Sequence, residues 1–146
     1  MGELQVRVEL LAGASAPEYQ TAGSAGADLC ARLDSPLILA PHCRAVVPTG
    51  VRIELPKGYE AQVRSRSGLA AKHGIACLNA PGTIDSDYRG EILVILVNHS
   101  DELYALADGD RIAQLVIAPV TRAIFSVAGD LAGSDRGSGG FGSTGR

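Results

Sequence analysis

The chain has 146 residues, enough for one domain with a substantial core, and aromatic residues make up only 4% of it. Its net charge of −3 argues against a general nucleic-acid binder steered by bulk charge, so direct nucleic-acid binding is not expected. The sequence has neither an apolar run long enough to span a membrane nor a secretory signal, so we expect a cytoplasmic protein without a membrane partner.

Alternating apolar and polar residues predict several short strands along the chain. Residues 4–10, 51–55 and 59–66 have the two-residue period of half-buried strands. Residues 92–97 are continuously apolar, which predicts a strand that is buried on both faces. The turn at 107–110 leads into a further strand, 111–117.

One short helix is predicted between these strands. Ser67 can cap it, residues 69–73 can form it, and Gly74 can end it. Many short strands separated by turns predict an all-β fold, either a compact barrel or a jelly roll. A chain of this size with a doubly apolar strand is also expected to need partner subunits.

Residues 64–70 form the first candidate site. A strand delivers Arg66 directly onto Ser67 and Gly68 at a helix N-terminus, where free N–H groups favour an anion such as phosphate. Alternatively, Ser67 is a plain cap and the arginines lie on a solvated face. Asp28 and Gln114 give weaker signals, since Asp28 can be a turn residue and Gln114 can pair with the backbone.

Residues 82–92 form the second candidate site. We expect a glycine-bounded hairpin that holds a flat base between its arms. Asp85 would accept a proton from water, and Tyr88 would form a wall of the site. The alternative is an ordinary hairpin in which the Asp and Gly residues only make the turn.

The glycine-rich segment 136–145 is the third candidate site. It is too rich in glycine to fold alone, but converging N–H groups suit an anion. Hydroxyls and the Arg136 guanidinium add phosphate donors, and Phe141 offers a face on which a base can stack. The alternative is a flexible tail.

The cysteines do not indicate a site. Cys30, Cys43 and Cys77 are an odd number without C-x-x-C spacing, and they form no ligand pattern with the histidines. Neither a structural zinc nor a disulfide framework is therefore suggested. Their default role is that of small, buried apolar residues.

Five short segments, in this order, resemble the trimeric dUTP pyrophosphatase (dUTPase) family. Their sequences are AGADL at 25–29, RSGL at 66–69, GTIDSDYRG at 82–90, GDRIAQ at 109–114 and RGSGGFGSTG at 136–145. Together these segments span nearly the whole chain. One departure is Ser65, where relatives often carry Pro; no role is assigned to the preceding Arg64.

The resemblance implies hydrolysis of dUTP to dUMP and pyrophosphate with Mg²⁺, which keeps uracil out of DNA and supplies dUMP for thymidylate synthesis. It implies a homotrimer of jelly-roll-like β-barrel (β-clip) subunits with shared active sites. In that arrangement residues 1–132 form the barrel, and a mobile arm, 133–146, closes a neighbouring subunit's site.

The resemblance also implies roles for particular residues. Asp85 is the general base, and Asp28 reaches Mg²⁺ through water. Groups that hold the phosphates from the barrel are Arg66, Ser67, Gly68 and Gln114. Groups that hold the substrate from the arm are Arg136, Ser138, Phe141, Gly142, Ser143 and Thr144, with Phe141 stacked on the base. Groups that contact the uracil or the sugar are Asn79, Thr83, Ile84, Tyr88 and Leu93. Arg111 is expected to brace the subunit interface or the aspartates.

Three other functions are compatible with such a fold. One is a deoxycytidine triphosphate deaminase, which works on the base with a glutamate. Another is a non-catalytic nucleotide-binding or regulatory module, although an intact Asp85, Gln114 and arm argue against it. A capsid-like jelly roll would have no use for a phosphate-binding arm.

Overall fold

A computed structural model describes residues 3–143, which contain eleven strands and one helix. The strands in chain order are β1 Arg7–Leu10, β2 Ala27–Cys30, β3 Leu37–Leu39, β4 Arg44–Pro48, β5 Val51–Glu54, β6 Tyr59–Arg64, β7 Ile75–Cys77, β8 Gly82–Ile84, β9 Leu93–Asn98, β10 Tyr104–Leu106 and β11 Arg111–Pro119. The helix, α1, spans Ser67–His73 between β6 and β7.

The strands form four antiparallel sheets around one core. The largest has the order β2-β11-β6-β8, and the next has the order β4-β9-β7. Two pairs, β1-β5 and β3-β10, complete the arrangement. The predicted all-β class with one short helix is therefore confirmed, and the jelly-roll-like description fits.

Alternation along the strands builds the core. Val51 and Ile53 of β5 are buried, as are Ala61 and Val63 of β6, while the residues between them are more exposed. Val94 and Leu96 of β9 are fully buried. Because side chains of a strand point alternately to its two faces, each of these strands contributes one face to the interior.

The N-terminal strand departs from its prediction. It begins at Arg7 rather than at residue 4, and Val8 and Leu10 remain 42% and 44% exposed. The expectation of a half-buried strand is wrong for the single chain, because β1 pairs only with β5 and its apolar side remains open. That side borders a surface cleft of about 780 Å³, which Leu115 and Ile117 also line.

The strand β9 is buried on one face and only partly covered on the other, where Leu93 is exposed, Ile95 is half-buried and Val97 is buried. Val46, Leu78 and Leu93 lie on the outer face of the β4-β9-β7 sheet and are 55%, 49% and 49% exposed. We call these three residues the outer patch. The prediction that 92–97 is buried on both faces therefore holds only in part for the single chain, since Val97 is buried but no second layer covers the outer patch.

The helix begins at Ser67, one residue earlier than a Ser67 cap would require. Arg66 is the N-cap residue and provides no side-chain cap hydrogen bond, so the predicted capping role of Ser67 is wrong. The predicted end is confirmed, because Gly74 has φ +67° and its N–H donates to Ala70 O. Within residues 3–143, no helix is long and apolar enough to cross a membrane.

Beyond β11 the chain leaves the sheets. Residues 121–143 form no strand or helix and are almost entirely exposed, including Ile124, Phe125, Val127 and Leu131. The hydrogen bonds found in this segment join residues of the segment to one another. The boundary between a barrel of residues 1–132 and an arm of 133–146 stays a prediction.

Candidate functional site

The predicted site residues of the folded body line two separate clefts. The loop cleft, of about 190 Å³, is lined by Val63, Asn79, Gly82, Thr83, Ile84, Asp85, Tyr88, Glu91, Ile92 and Leu93. The arginine cleft, of about 460 Å³, is lined by Gln20, Ser24, Ala25, Gly26, Asp28, Arg66, Ser67, Gly68, Arg111 and Gln114. No residue lines both clefts.

The loop cleft lies where two sheets meet. The predicted hairpin at 82–92 is wrong, because β8 pairs with β6 whereas β9 pairs with β4 and β7. Residues 85–92 therefore connect the two sheets instead of turning one strand back on the other. The absence of a side chain on Gly82 lets Asn79 approach, since a Cβ there would lie 3.1 Å from the Asn79 amide nitrogen.

The connection between the sheets presents Asp85 and Tyr88. Asp85 follows β8 directly and is exposed, and its carbonyl accepts the Tyr88 N–H at 3.1 Å. The Tyr88 hydroxyl donates to the Glu91 carbonyl at 2.9 Å. Gly90 leaves room for this bond, because a Cβ there would collide with the Tyr88 hydroxyl.

The structure brings together every residue of the folded body that was assigned to the base, the sugar and the attacking water, whereas Phe141 of the arm lies elsewhere. Asn79, Thr83, Ile84, Asp85, Tyr88 and Leu93 all line the loop cleft. The sequence interpretation missed Glu91, which also lines it. No local pattern marks Glu91, because its side chain contacts Gly50, which is 41 positions away.

The arginine cleft is organised around Asp28. This carboxylate, only 12% exposed, pairs through Oδ1 with Arg66 Nε at 3.3 Å and through Oδ2 with Arg111 Nη1 at 3.1 Å. Arg66 also donates to the Arg111 carbonyl at 2.9 Å. Arg111 thus braces an aspartate as expected, and the two arginines form a cationic wall with a fixed orientation.

Other predicted groups surround this wall. Ser67 and Gly68 are exposed in the cleft, and Gln114 donates its amide to the Ser65 carbonyl at 3.0 Å. Arg64 does not line the cleft. Its guanidinium donates to the Gln62 amide oxygen. The two residues are two positions apart in β6, so their side chains lie on the same face of the strand.

Two cysteines have perturbed thiols. Burial raises the pKa of Cys77, partly offset by a hydrogen bond from Ser65. Burial also raises the pKa of Cys30, with the Asp28 carboxylate as the second cause. Both thiols therefore stay neutral near pH 7, which makes neither an activated nucleophile.

The donor set tests whether a magnesium ion fits. Among the residues of the described part, no group of three or more His, Cys, Asp or Glu side chains is arranged to hold a metal. Both Asp28 oxygens already face guanidinium groups. Mg²⁺ commonly keeps several waters and binds substrate phosphates, so these residues fit an ion held through water rather than directly.

The predicted residues of the arm lie apart from both clefts. Arg136 donates through Nε to the Gly139 carbonyl at 2.8 Å, and Phe141 is fully exposed. Ser138, Gly142 and Ser143 line neither cleft, and Thr144 lies outside the described residues.

Comparisons with known proteins identify the family to which the chain is similar. The dUTPase family profile matches residues 12–145. A deoxyuridine 5'-triphosphate nucleotidohydrolase of Anaeromyxobacter sp. (strain Fw109-5) is 62% identical over 130 residues, 89% of this chain and 87% of the relative. The enzyme of the same name from Treponema denticola is 55% identical over 142 residues, 97% of this chain and 99% of the relative.

A solved structure supports the same conclusion. The dUTPase of Staphylococcus bacteriophage 80alpha, solved with dUPNHPP, superposes with a TM-score of 0.87 at 27% identity. The superposition covers 97% of this chain and 99% of the phage chain. With the profile match and the relatives, it shows that the chain belongs to the dUTPase family.

Proposed function

We propose that this protein is a dUTP diphosphatase, which hydrolyses dUTP to dUMP and pyrophosphate. The observation that carries the proposal is the loop cleft, which gathers the six residues of the folded body assigned to base, sugar and attacking water. The two relatives that carry this activity in their names are 62% and 55% identical to the chain.

Asp85 is the proposed general base. Its side chain is exposed at the cleft and accepts no hydrogen bond within residues 3–143, which leaves its carboxylate available to water. It would take a proton from the water that attacks the α-phosphorus, and the bond to the bridging oxygen would break to release pyrophosphate. A positioned base of this kind contributes about a hundred- to ten-thousand-fold to the rate.

The arginine cleft is the proposed phosphate site. Arg66, oriented by Asp28, would hold the phosphate chain together with Ser67, Gly68 and Gln114. A guanidinium that is already oriented loses little freedom when it binds phosphate, so it can neutralise charge without reorganisation. A bound Mg²⁺ would add charge neutralisation at the phosphates, and Asp28 would contact its waters.

The loop cleft is the proposed source of selectivity. The backbone of Thr83, Ile84 and Leu93, which all line this cleft, would contact the edge of the uracil base. A close fit of this kind would refuse the additional methyl group of thymine. Tyr88 would lie under the sugar and refuse a 2′-hydroxyl.

The complete site is proposed to form between subunits of a homotrimer. Each chain carries a loop cleft and an arginine cleft that share no lining residue. The outer patch and the exposed side chains of Ile124, Phe125, Val127 and Leu131 offer apolar surfaces for neighbouring copies. In this assembly the arm 133–146 would cross to a neighbour's site, where Arg136, Ser138, Gly142, Ser143 and Thr144 would grip the phosphates and Phe141 would stack on the base.

The proposed cellular role follows from the reaction. Removal of dUTP keeps uracil out of DNA, and the product dUMP supplies thymidylate synthesis. A cytoplasmic location, where the nucleotide pool is available, is part of this proposal.

The experiment that tests the function is pyrophosphate release from dUTP beside dTTP, dCTP and UTP, with and without Mg²⁺. Release from dUTP alone is expected. Ammonia from dCTP would indicate a deaminase, and no turnover of any nucleotide would indicate a binding module.

The role of Asp85 is tested by Asp85→Asn. This variant should bind dUTP with similar affinity but turn it over at least about a hundredfold more slowly, since it keeps the shape and loses the base. Asp87→Asn is the matched control, because it removes a carboxylate from the same exposed loop. Retained turnover in Asp85→Asn would remove Asp85 from this role.

A further inference from the structure

The Glu91 side chain ties the loop cleft to a distant turn. Its Oε1 accepts the Gly50 N–H at 2.7 Å in a partly buried position. Gly50 has φ +67°, and a Cβ there would lie 2.5 Å from the Ala14 methyl group, so the backbone of this turn has little freedom. A carboxylate that accepts from such an N–H makes a strong, charge-assisted bond to a fixed point.

Backbone bonds hold the next residue to the same turn. The Ile92 carbonyl accepts the hydroxyl of the buried Thr49 at 2.6 Å, and the Ile92 N–H donates to the Val51 carbonyl at 2.8 Å. Among the hydrogen bonds of the described residues, the one from Gly50 is the only one that fixes the Glu91 side chain. Glu91 therefore links Ile92, whose backbone is held by these hydrogen bonds, to the more exposed residues 85–89 of the loop.

The other end of Glu91 holds Tyr88. The Glu91 carbonyl accepts the Tyr88 hydroxyl at 2.9 Å, and the ring lies against Gly90. Because Tyr88 is 44% exposed, packing restrains the ring on one side only. The direction of the ring therefore depends on where the Glu91 carbonyl lies. The peptide that carries this carbonyl is held by two bonds, one from the Gly50 N–H to the Glu91 side chain and one from the Ile92 N–H to the Val51 carbonyl.

We infer that Glu91 is a positioning residue, which sets the selectivity for deoxyribose by holding Tyr88 in place. The inference rests on the proposed function. The Tyr88 ring can exclude a 2′-hydroxyl only if it resists a small displacement, so a less restrained ring would admit UTP. Turnover of dUTP depends less on this restraint, because deoxyribose has no 2′-hydroxyl that would contact the ring.

The test compares kcat/KM for dUTP and for UTP in the wild type and in Glu91→Ala, Glu91→Gln and Asp87→Asn. Glu91→Ala should lower the dUTP/UTP ratio by about threefold to tenfold, mainly through a gain in kcat/KM for UTP, because one charge-assisted hydrogen bond is lost while the Ile92 N–H still holds the same peptide. Glu91→Gln should keep most of the ratio, because its amide oxygen can still accept the Gly50 N–H. Asp87→Asn, the matched carboxylate loss, should leave it unchanged.

A second comparison separates positioning from general loosening of the fold. Tyr88→Phe removes the hydroxyl through which Glu91 acts, so adding Glu91→Ala to it should lower the ratio no further. Equal losses from Glu91→Ala in both backgrounds would overturn the inference. Should Glu91→Ala fail to fold, Glu91→Asp replaces it, since its shortened carboxylate cannot span the same distance to Gly50.

The outcomes for the inference and for the function are distinct. An active wild type with an unchanged ratio in Glu91→Ala would overturn the role of Glu91 and leave the proposed function intact. A wild type that releases no pyrophosphate from dUTP would remove the proposed function and this inference with it.

Discussion

Asp28→Asn tests whether one carboxylate organises the phosphate site. The substitution keeps the size of the side chain and removes its charge. One amide oxygen remains, so Arg66 or Arg111 loses its acceptor and faces an NH₂ group instead. Arg66 would keep its bond to the Arg111 carbonyl, so the change loosens the guanidinium rather than releasing it.

The magnitude follows from the exposure of the two pairs. Arg66 is 25% exposed beside an Asp28 that is 12% exposed, and the two form an ion pair at 3.3 Å without a hydrogen bond, so the pair should contribute about 1 kcal/mol to stability. Arg111 is 48% exposed, and solvent screening should reduce its share to about 0–1 kcal/mol. We expect Tm to fall by about 3–6 °C. The KM for dUTP should rise about tenfold, because a misplaced phosphate ligand weakens the bound geometry.

The assay measures KM for dUTP at saturating Mg²⁺ together with thermal unfolding. Asp34→Asn is the control, since Asp34 also pairs with an arginine, Arg32 at 3.1 Å, but is 96% exposed. This control should leave KM and Tm unchanged. A wild-type KM in Asp28→Asn would refute the view that Asp28 orients Arg66 for the substrate.

Two further perturbations test the arm and the assembly. Deletion of 134–146 should cripple turnover without dissociating the trimer, measured by pyrophosphate release and sedimentation; an unaffected rate would make the tail a linker. Within it, Phe141→Ala should cost about 1–3 kcal/mol in transition-state binding, read as kcat/KM, if the ring stacks on the base. Val46→Glu, in the outer patch, should give monomers in sedimentation; a trimer with Glu there would place the interface elsewhere.

Most strands could be predicted from the sequence, because the alternation of apolar and polar residues is a property of neighbouring residues. Alternation placed Val51, Ile53, Ala61 and Val63 in the core, as observed, since side chains of a strand point alternately to its two faces. The same pattern failed for Val8, because alternation identifies an apolar face but does not say what covers it. In a single chain, that face is open.

The sequence predicted which residues belong to the site but not how they are arranged in space. Short glycine-bounded segments identified Asp85, Tyr88 and Arg66, because the chemistry of phosphate and base binding restricts the residue types that can serve. The hairpin assigned to 82–92 was wrong, since strand pairing depends on partners elsewhere in the chain and not on the segment itself.

The sequence by itself determined the class of fold, the chemical groups of the site and the family they resemble, because these depend on residue type and short-range spacing. Only the tertiary structure decided that Asp28 meets Arg111, 83 positions away, and that Glu91 holds Gly50, 41 positions away. It also separated the loop cleft from the arginine cleft. Such contacts follow from the packing of the whole chain, which brings together groups that no local pattern connects.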